Sequence, residues 1–268
     1  MLFKMVVFRR ERVYIDWNMS RRVALVTGAA KGVGAATCRL LAGRGYDVLI
    51  SYGHSVDAAR ILQEEISGDC RALIFQADVS RPDEVQKLFE FCRQEFHRLD
   101  VLVNVASYSS SKGWAVKVND IDWSEWEKTI NVDLKGTMLC CHAAFGIMEP
   151  QGSGKIVNFS SSAALWGDVP TYLYTAAKAS IMAITRTLSR AFAPKVQVNC
   201  IAPGSIATEW IEKWKLTPED LHAIAEEAPL KRIGTPEEVA ELVAFLASPD
   251  CTFITGQTIV IDGGILML

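Results

Sequence analysis

The chain is expected to form one α/β domain, a doubly wound, seven-stranded parallel sheet with helices on both faces. Three observations carry this expectation. From residue 23, short β-rich runs alternate with helical patterns, the order of a sheet covered on both sides. At 268 residues, half of them hydrophobic and 22% charged, the chain can bury a sizeable core as one large domain. The first strand also leads straight into a glycine-rich turn, Gly28-Ala29-Ala30-Lys31-Gly32-Val33-Gly34, that opens a helix.

The strands are expected in order at 23–27, 47–51, 71–76, 101–105, 155–160, 196–201 and 258–261. Between them lie helical patterns near 33–43, 55–67, 82–97, 131–148, 172–193 and 235–247. Pro82 and Pro236 sit in first turns, each close behind a hydroxyl residue, Ser80 and Thr235. Residues 206–234 break the alternation with Trp210, Trp214 and a polar helix-like stretch, and read as a flap, about 206–230. Residues 1–21 are of another character, with Lys4, Arg9, Arg10, Arg12 and Arg21 against Glu11 and Asp16. They read as an N-terminal extension, disordered or preceding the natural start at Met19, ahead of a single domain at 22–268; an intact mass of the native protein checks this. Lys4 interrupts their apolar stretch and no small-residue cleavage site follows, which argues against a secretory signal.

Composition excludes several classes. A net charge of −3 argues against a nucleic-acid binder. No run approaches the ~20 apolar residues of a membrane span. Seven cysteines and four histidines are scattered without metal-ligand spacing, so no metal site is expected, and the thiols point to a reducing, cytoplasmic setting.

Two constellations carry chemistry. The glycine turn lets a backbone approach a pyrophosphate, and the helix behind it offers unpaired N–H groups. Tyr174 and Lys178 stand at i and i+4 on a helical pattern, with Ser161 upstream. An ammonium beside the phenol lowers its pKa from about 10 and makes it a proton donor near neutrality. By itself such a pair reads more readily as a solvated surface ion pair. Tyr172 is a rival phenol without a Lys at i+4, and Ser160 and Ser162 read as strand-end hydroxyls bonded to backbone.

In this order the motifs resemble the short-chain dehydrogenase/reductase family, and within it relatives of 3-oxoacyl-[acyl-carrier-protein] reductase. The resemblance spans roughly residues 22–264 and implies a Rossmann fold with catalytic Asn131, Ser161, Tyr174 and Lys178. It implies that cofactor contacts come from Gly28, Lys31, Gly32, Val33 and Gly34, from Asp78 and Val79 at the adenine, and from Asn104 and Ala106. Pro203, Gly204, Ile206 and Thr208 would clasp the nicotinamide, while Tyr174 and Lys178 would also meet the cofactor. Lys178 would bond the ribose hydroxyls, Ser161 polarise the carbonyl, and Asn131 hold a relay water behind Lys178. One motif departs: the family's Asn-Asn-Ala-Gly is Asn104-Val105-Ala106-Ser107 here. Ser107 is then either a tolerated variant or the mark of altered cofactor affinity or a reshaped pocket.

Cofactor choice is a matter of charge. The position of an NAD-selecting carboxylate at the end of the second strand is occupied by Tyr52, and Lys31 can pair with a 2′-phosphate. NADP(H) is therefore expected, with NAD(H) as the alternative. Trp114, Trp210 and Trp214 are candidate substrate contacts. Trp123 and Trp126 are expected to anchor the helix leading into Asn131, and Cys140-Cys141 to be packing residues. The apolar tail 265–268 suggests a subunit contact, in line with the dimers and tetramers of the family. The reaction implied interconverts a secondary alcohol and a ketone. A 3-oxoacyl thioester is a weaker substrate expectation, because residues 138–150 have no Lys or Arg for an acidic carrier protein. The rival function is a non-catalytic NADP(H)-binding sensor or scaffold.

Overall fold

The computed structural model describes residues 6–8, 11–13, 21–108, 117–167, 171–213 and 215–267. Seven strands form one sheet: β1 Arg22–Thr27, β2 Tyr46–Tyr52, β3 Ala72–Gln76, β4 Val101–Asn104, β5 Gly154–Phe159, β6 Val196–Pro203 and β7 Thr258–Ile261. Their spatial order is β3-β2-β1-β4-β5-β6-β7, and every adjacent pair is parallel. The expected sheet is therefore present, with each strand within two residues of its expected bounds. Near the N-terminus Val6–Phe8 pairs antiparallel with Glu11–Val13, outside that sheet.

The inner strands are buried on both faces because their side chains alternate between two cores. Ala24, Val26, Val48, Ile50, Val101 and Val103 face a cluster built with α1 Gly32–Gly43, α2 Val56–Ile66 and α10 Pro236–Ala247. Val23, Leu25, Leu49 and Leu102 face the other side, under α3 Pro82–Phe96, α5 Thr137–Gln151 and α7 Tyr172–Phe192. Leu25, Leu49 and Leu102, each under 2% exposed, stabilise the fold by about 2 kcal/mol apiece.

The helix expected at 131–148 starts earlier and is not uniform. It comprises α4 Trp123–Thr129, a π-helical stretch Ile130–Gly136, and α5. Asp122 caps α4 by accepting from Ser124 N. Trp123 does not anchor this helix: it is 68% exposed, its ring edge-on to Trp126. Two short helices, α6 Ala163–Trp166 and α8 Trp210–Lys213, follow β5 and β6, and α9 Pro218–Glu227 lies in the expected flap. Among the described residues no helix is long and apolar enough to cross a membrane.

Candidate functional site

The winding of the sheet reverses between β1 and β4, so the loops leaving their C-terminal ends diverge and leave a crevice, the place where open α/β sheets bind ligands. After β1 the chain turns through Gly28, at φ +63°, and Gly32, at φ +51°, a region that favours glycine. A Cβ on Gly28 would lie 2.7 Å from Ala106 Cα, and one on Gly34 would lie 2.5 Å from Gly28 O. The neighbouring loop leaves no room for a side chain at Gly28, and the turn's own backbone leaves none at Gly34. Lys31 stands at the N-cap of α1 and makes no side-chain cap, so the first-turn N–H groups of that helix face outward. Thr208 reaches the same turn, its Cγ2 3.2 Å from a Cβ position on Gly32, as does the Glu209 carboxylate, which the sequence did not single out. At the ends of β2 and β4, Ser51 Oγ and Asn104 Oδ1 are buried without a hydrogen-bond partner. A bare glycine cradle, an uncapped helix N-terminus and leftover polar atoms at the strand ends fit a dinucleotide.

Asn104 also braces the sheet. It pairs in register with Asn158 of β5, and its Nδ2 donates to Asn158 Oδ1 at 2.9 Å. Asn158 Nδ2 in turn donates to Thr185 Oγ1 on α7, at 3.0 Å. This fully buried chain fixes α7, and with it Tyr174 and Lys178, against the strands. Ser160 adds a second tie, its Oγ donating to the backbone oxygen of Lys178 at 2.7 Å, the backbone bond expected of that hydroxyl.

Ser161, Tyr174 and Lys178 converge at the ends of β5 and α7. Tyr174 and Ser161 are joined by a side-chain hydrogen bond. The Lys178 ammonium lies 5.4 Å from the centre of the Tyr174 ring and donates to Phe159 O at 3.4 Å. Its counter-ion is Asp133 Oδ2, 3.1 Å away, with the lysine side chain 4% and the aspartate side chain 0% exposed. The pair is thus buried rather than solvated, which removes the surface ion-pair reading. Burial pulls the Lys178 ammonium down, but Asp133 foremost, then Tyr174, carry it above the ordinary lysine value. The Tyr174 phenol is pushed above its ordinary value by burial, a shift that Lys178 and Ser161 reduce and Asp133 reinforces. The expected direction was downward. The lysine does act that way, and burial outweighs it.

Asn131 does not belong to this cluster. It is exposed on the π-helical stretch, and Asp133, two residues on, faces Lys178 instead. Ser107 Oγ donates to Asp133 Oδ2 at 2.7 Å. Of the other expected cofactor residues, Asp78 Oδ1 accepts from Ser80 N and Oγ, and Val79 packs where a Cβ on Gly136 would come within 2.7 Å of its side chain. Pro203 O accepts from Ser162 N at 2.9 Å, Gly204 touches Asp262, and buried Ile206 bridges to Gly234. Val33 is half-buried on α1. Tyr52 ends β2 as the register implied, but its ring is buried in the core beside α1 and α2. Trp114 and Trp214 lie outside the described residues, and Trp210 is described in its backbone only. Cys140 and Cys141 are fully buried, and burial pushes the Cys141 thiol up to about 12, as befits packing residues.

Comparison with known proteins places these features in a lineage. The family model described as enoyl-(acyl carrier protein) reductase matches residues 28–266. A 3-oxoacyl-[acyl-carrier-protein] reductase of Synechocystis sp. is 38% identical over 93% of this chain and 98% of its own. Cis-4-hydroxycyclohexanecarboxylate dehydrogenase of Sinomonas cyclohexanicum is 39% identical over 91% of this chain and 96% of its own. The solved structure of ElxO with NADP bound superposes with a TM-score of 0.83 at 30% identity, covering 91% of this chain and 98% of that one.

Proposed function

Because the chain belongs to the short-chain dehydrogenase/reductase family, we propose that it is an NADP(H)-dependent oxidoreductase interconverting a secondary alcohol and a ketone. The observation that carries this is the Ser161–Tyr174–Lys178 cluster, its lysine buried, beside a glycine cradle. NADP(H), when bound, supplies or accepts the hydride. The turn Gly28–Gly34 would hold its pyrophosphate against the α1 N-terminus, with Lys31 beside it. Tyr174 Oη gives a proton to the carbonyl oxygen in reduction and removes it from the alcohol in oxidation. Ser161 Oγ, bonded to the same phenol, would position that oxygen, and the buried Lys178 ammonium would hold the ribose hydroxyls of the cofactor. A non-catalytic sensor has no use for this set, and the relatives carry reductase and dehydrogenase names.

The substrate we assign is a small, free ketone or its alcohol. The exposed face of α5, with Met138, His142, Gly146, Glu149 and Pro150, offers no Lys or Arg to an acidic carrier protein. A panel of cyclic and acyclic ketones, with 3-oxoacyl thioesters as a second arm, tests this using both cofactors. Turnover of thioesters alone would reverse the assignment. The flap at about 206–230 and the main domain at 22–268 remain part of this reading.

Preference for NADP(H) rests on the absence of an acid at the end of β2. Because Tyr52 is buried, the place to test it is Gly53, where an added Cβ meets nothing within 4 Å. Gly53→Asp is expected to lower the NADPH/NADH ratio of kcat/KM by about tenfold or more, the scale of one repulsion of ~1.4 kcal/mol. An unchanged ratio would count against the charge argument.

The chain is also proposed to be a homo-oligomer, a dimer or tetramer, in the cytoplasm. Edge strand β7 borders an apolar hollow of about 430 Å³ lined by Ile254, Ile259, Val260 and Leu266, while Phe253 and Met267 stand exposed. Seven free, buried cysteines suit a reducing compartment. Light scattering on the purified protein checks the assembly, and a monomer would remove it.

A further inference from the structure

We propose that Asp133 is a positioning residue for the reaction, a buried counter-charge that fixes the Lys178 ammonium against the Tyr174 ring and biases the site towards carbonyl reduction. The inference rests on the ketoreductase reading and concerns this chain's own departure from the family pattern. The resemblance implies an amide behind the lysine, and here a carboxylate stands there, 3.1 Å from Lys178 Nζ. The carboxylate is built in. Ser107 Oγ donates to Oδ2 at 2.7 Å and Tyr108 N donates to Oδ1 at 2.6 Å. Tyr108 is itself tethered, its hydroxyl bonded to Glu125 at 3.1 Å. Thr137 Oγ1 donates to the backbone oxygen of Asp133 at 2.6 Å, holding the π-helical stretch that presents it. Ser107 and Asp133, the residue that replaces the family's glycine and the residue that takes the amide's place, are thus hydrogen-bond partners. A glycine at 107 would remove one of the hydrogen-bond donors that hold the Asp133 carboxylate beside Lys178.

The consequence is electrostatic. The titratable groups facing Tyr174 are Lys178 on its own helix and Asp133 from the π-helical stretch, and Cys200 from β6, whose thiol burial pushes up to about 12, faces Lys178. Lys178 favours the tyrosinate and Asp133 opposes it, so the carboxylate offsets part of the cation's influence on the phenol. Tyr174 and Lys178 titrate as a pair. Deleting one negative charge eases loss of the first proton whichever group releases it. A phenol that keeps its proton serves reduction, whereas oxidation needs the phenolate.

Asp133→Asn preserves shape and removes the charge. In Asp133→Asn the alkaline limb of kcat/KM for carbonyl reduction is expected to move down by about one pH unit, and alcohol oxidation at a fixed mildly alkaline pH to rise relative to reduction. A merely structural aspartate would give a variant whose rate falls equally at every pH with the limb in place, and that result overturns the inference. The unmodified enzyme supplies a second measurement should the variant not fold. Its reduction rate is expected to hold through about pH 9, and a limb more than a unit below the ordinary tyrosine value near 10 would overturn the inference equally. Wild-type enzyme inactive on every carbonyl defeats the functional reading and this inference with it, whereas active wild type with an unmoved limb in Asp133→Asn defeats the inference alone.

Discussion

Tyr174→Phe is expected to lower kcat for carbonyl reduction by about 10³-fold, within the range contributed by a positioned general acid. NADPH affinity should change little, because the ring that packs 5.4 Å from the Lys178 ammonium is retained and only the hydroxyl is lost. Steady-state kinetics with a parallel NADPH fluorescence titration separates the two effects. A variant that kept most of its activity would transfer the proton to another group. Tyr172 would be examined first, since it begins the same helix. The size of the effect follows from the loss of the phenolic proton: Ser161 alone can hold the substrate oxygen but has no proton to release at neutral pH.

Removing the lysine should be felt in stability as strongly as in rate. Lys178→Met leaves Asp133, with a side chain 0% exposed, as a buried carboxylate without its cation. Breaking such a pair costs about 3–5 kcal/mol, which for a domain of this size lowers Tm by roughly 6–20 °C. Adding Asp133→Asn to Lys178→Met is expected to restore much of that loss without restoring activity, because the uncompensated charge is gone while the catalytic cation is still missing. Calorimetry of the wild type, both single variants and the double variant measures the coupling. A Lys178→Met protein melting with the wild type would mean that Asp133 finds other partners, and the electrostatic account of the site would fall.

The sheet was legible in the sequence because each strand is a short apolar run closed by a turn, and no tertiary contact needs to override that pattern. The glycine turn was legible for a related reason: Gly28 and Gly32 adopt left-handed backbone and Gly28 abuts Ala106, constraints that leave a fixed spacing in the chain. Asp133 was not. The resemblance pointed to the amide Asn131, whereas the residue that the π-helical stretch Ile130–Gly136 presents to Lys178 is Asp133, two positions on. The sequence did flag Ser107 as a departure. Its partner lies 26 residues away, at a distance that no local pattern spans. Nor could the sequence give the direction of the Tyr174 shift, since the i+4 lysine is visible in the chain whereas burial and the opposing carboxylate are properties of the packed site.

The claim at the centre of this account is that hydride and proton reach one carbonyl at the Tyr174 cluster. A single-turnover reaction with NADPH deuterated at both C4 positions, using the best ketone of the panel, tests it most directly. The account requires deuterium on the carbinol carbon of the alcohol formed by the wild type, and almost no alcohol from Tyr174→Phe bound to the same NADPH. Tight NADPH binding by the wild type with no deuterated alcohol from any ketone would contradict it and leave a cofactor-binding protein without catalysis.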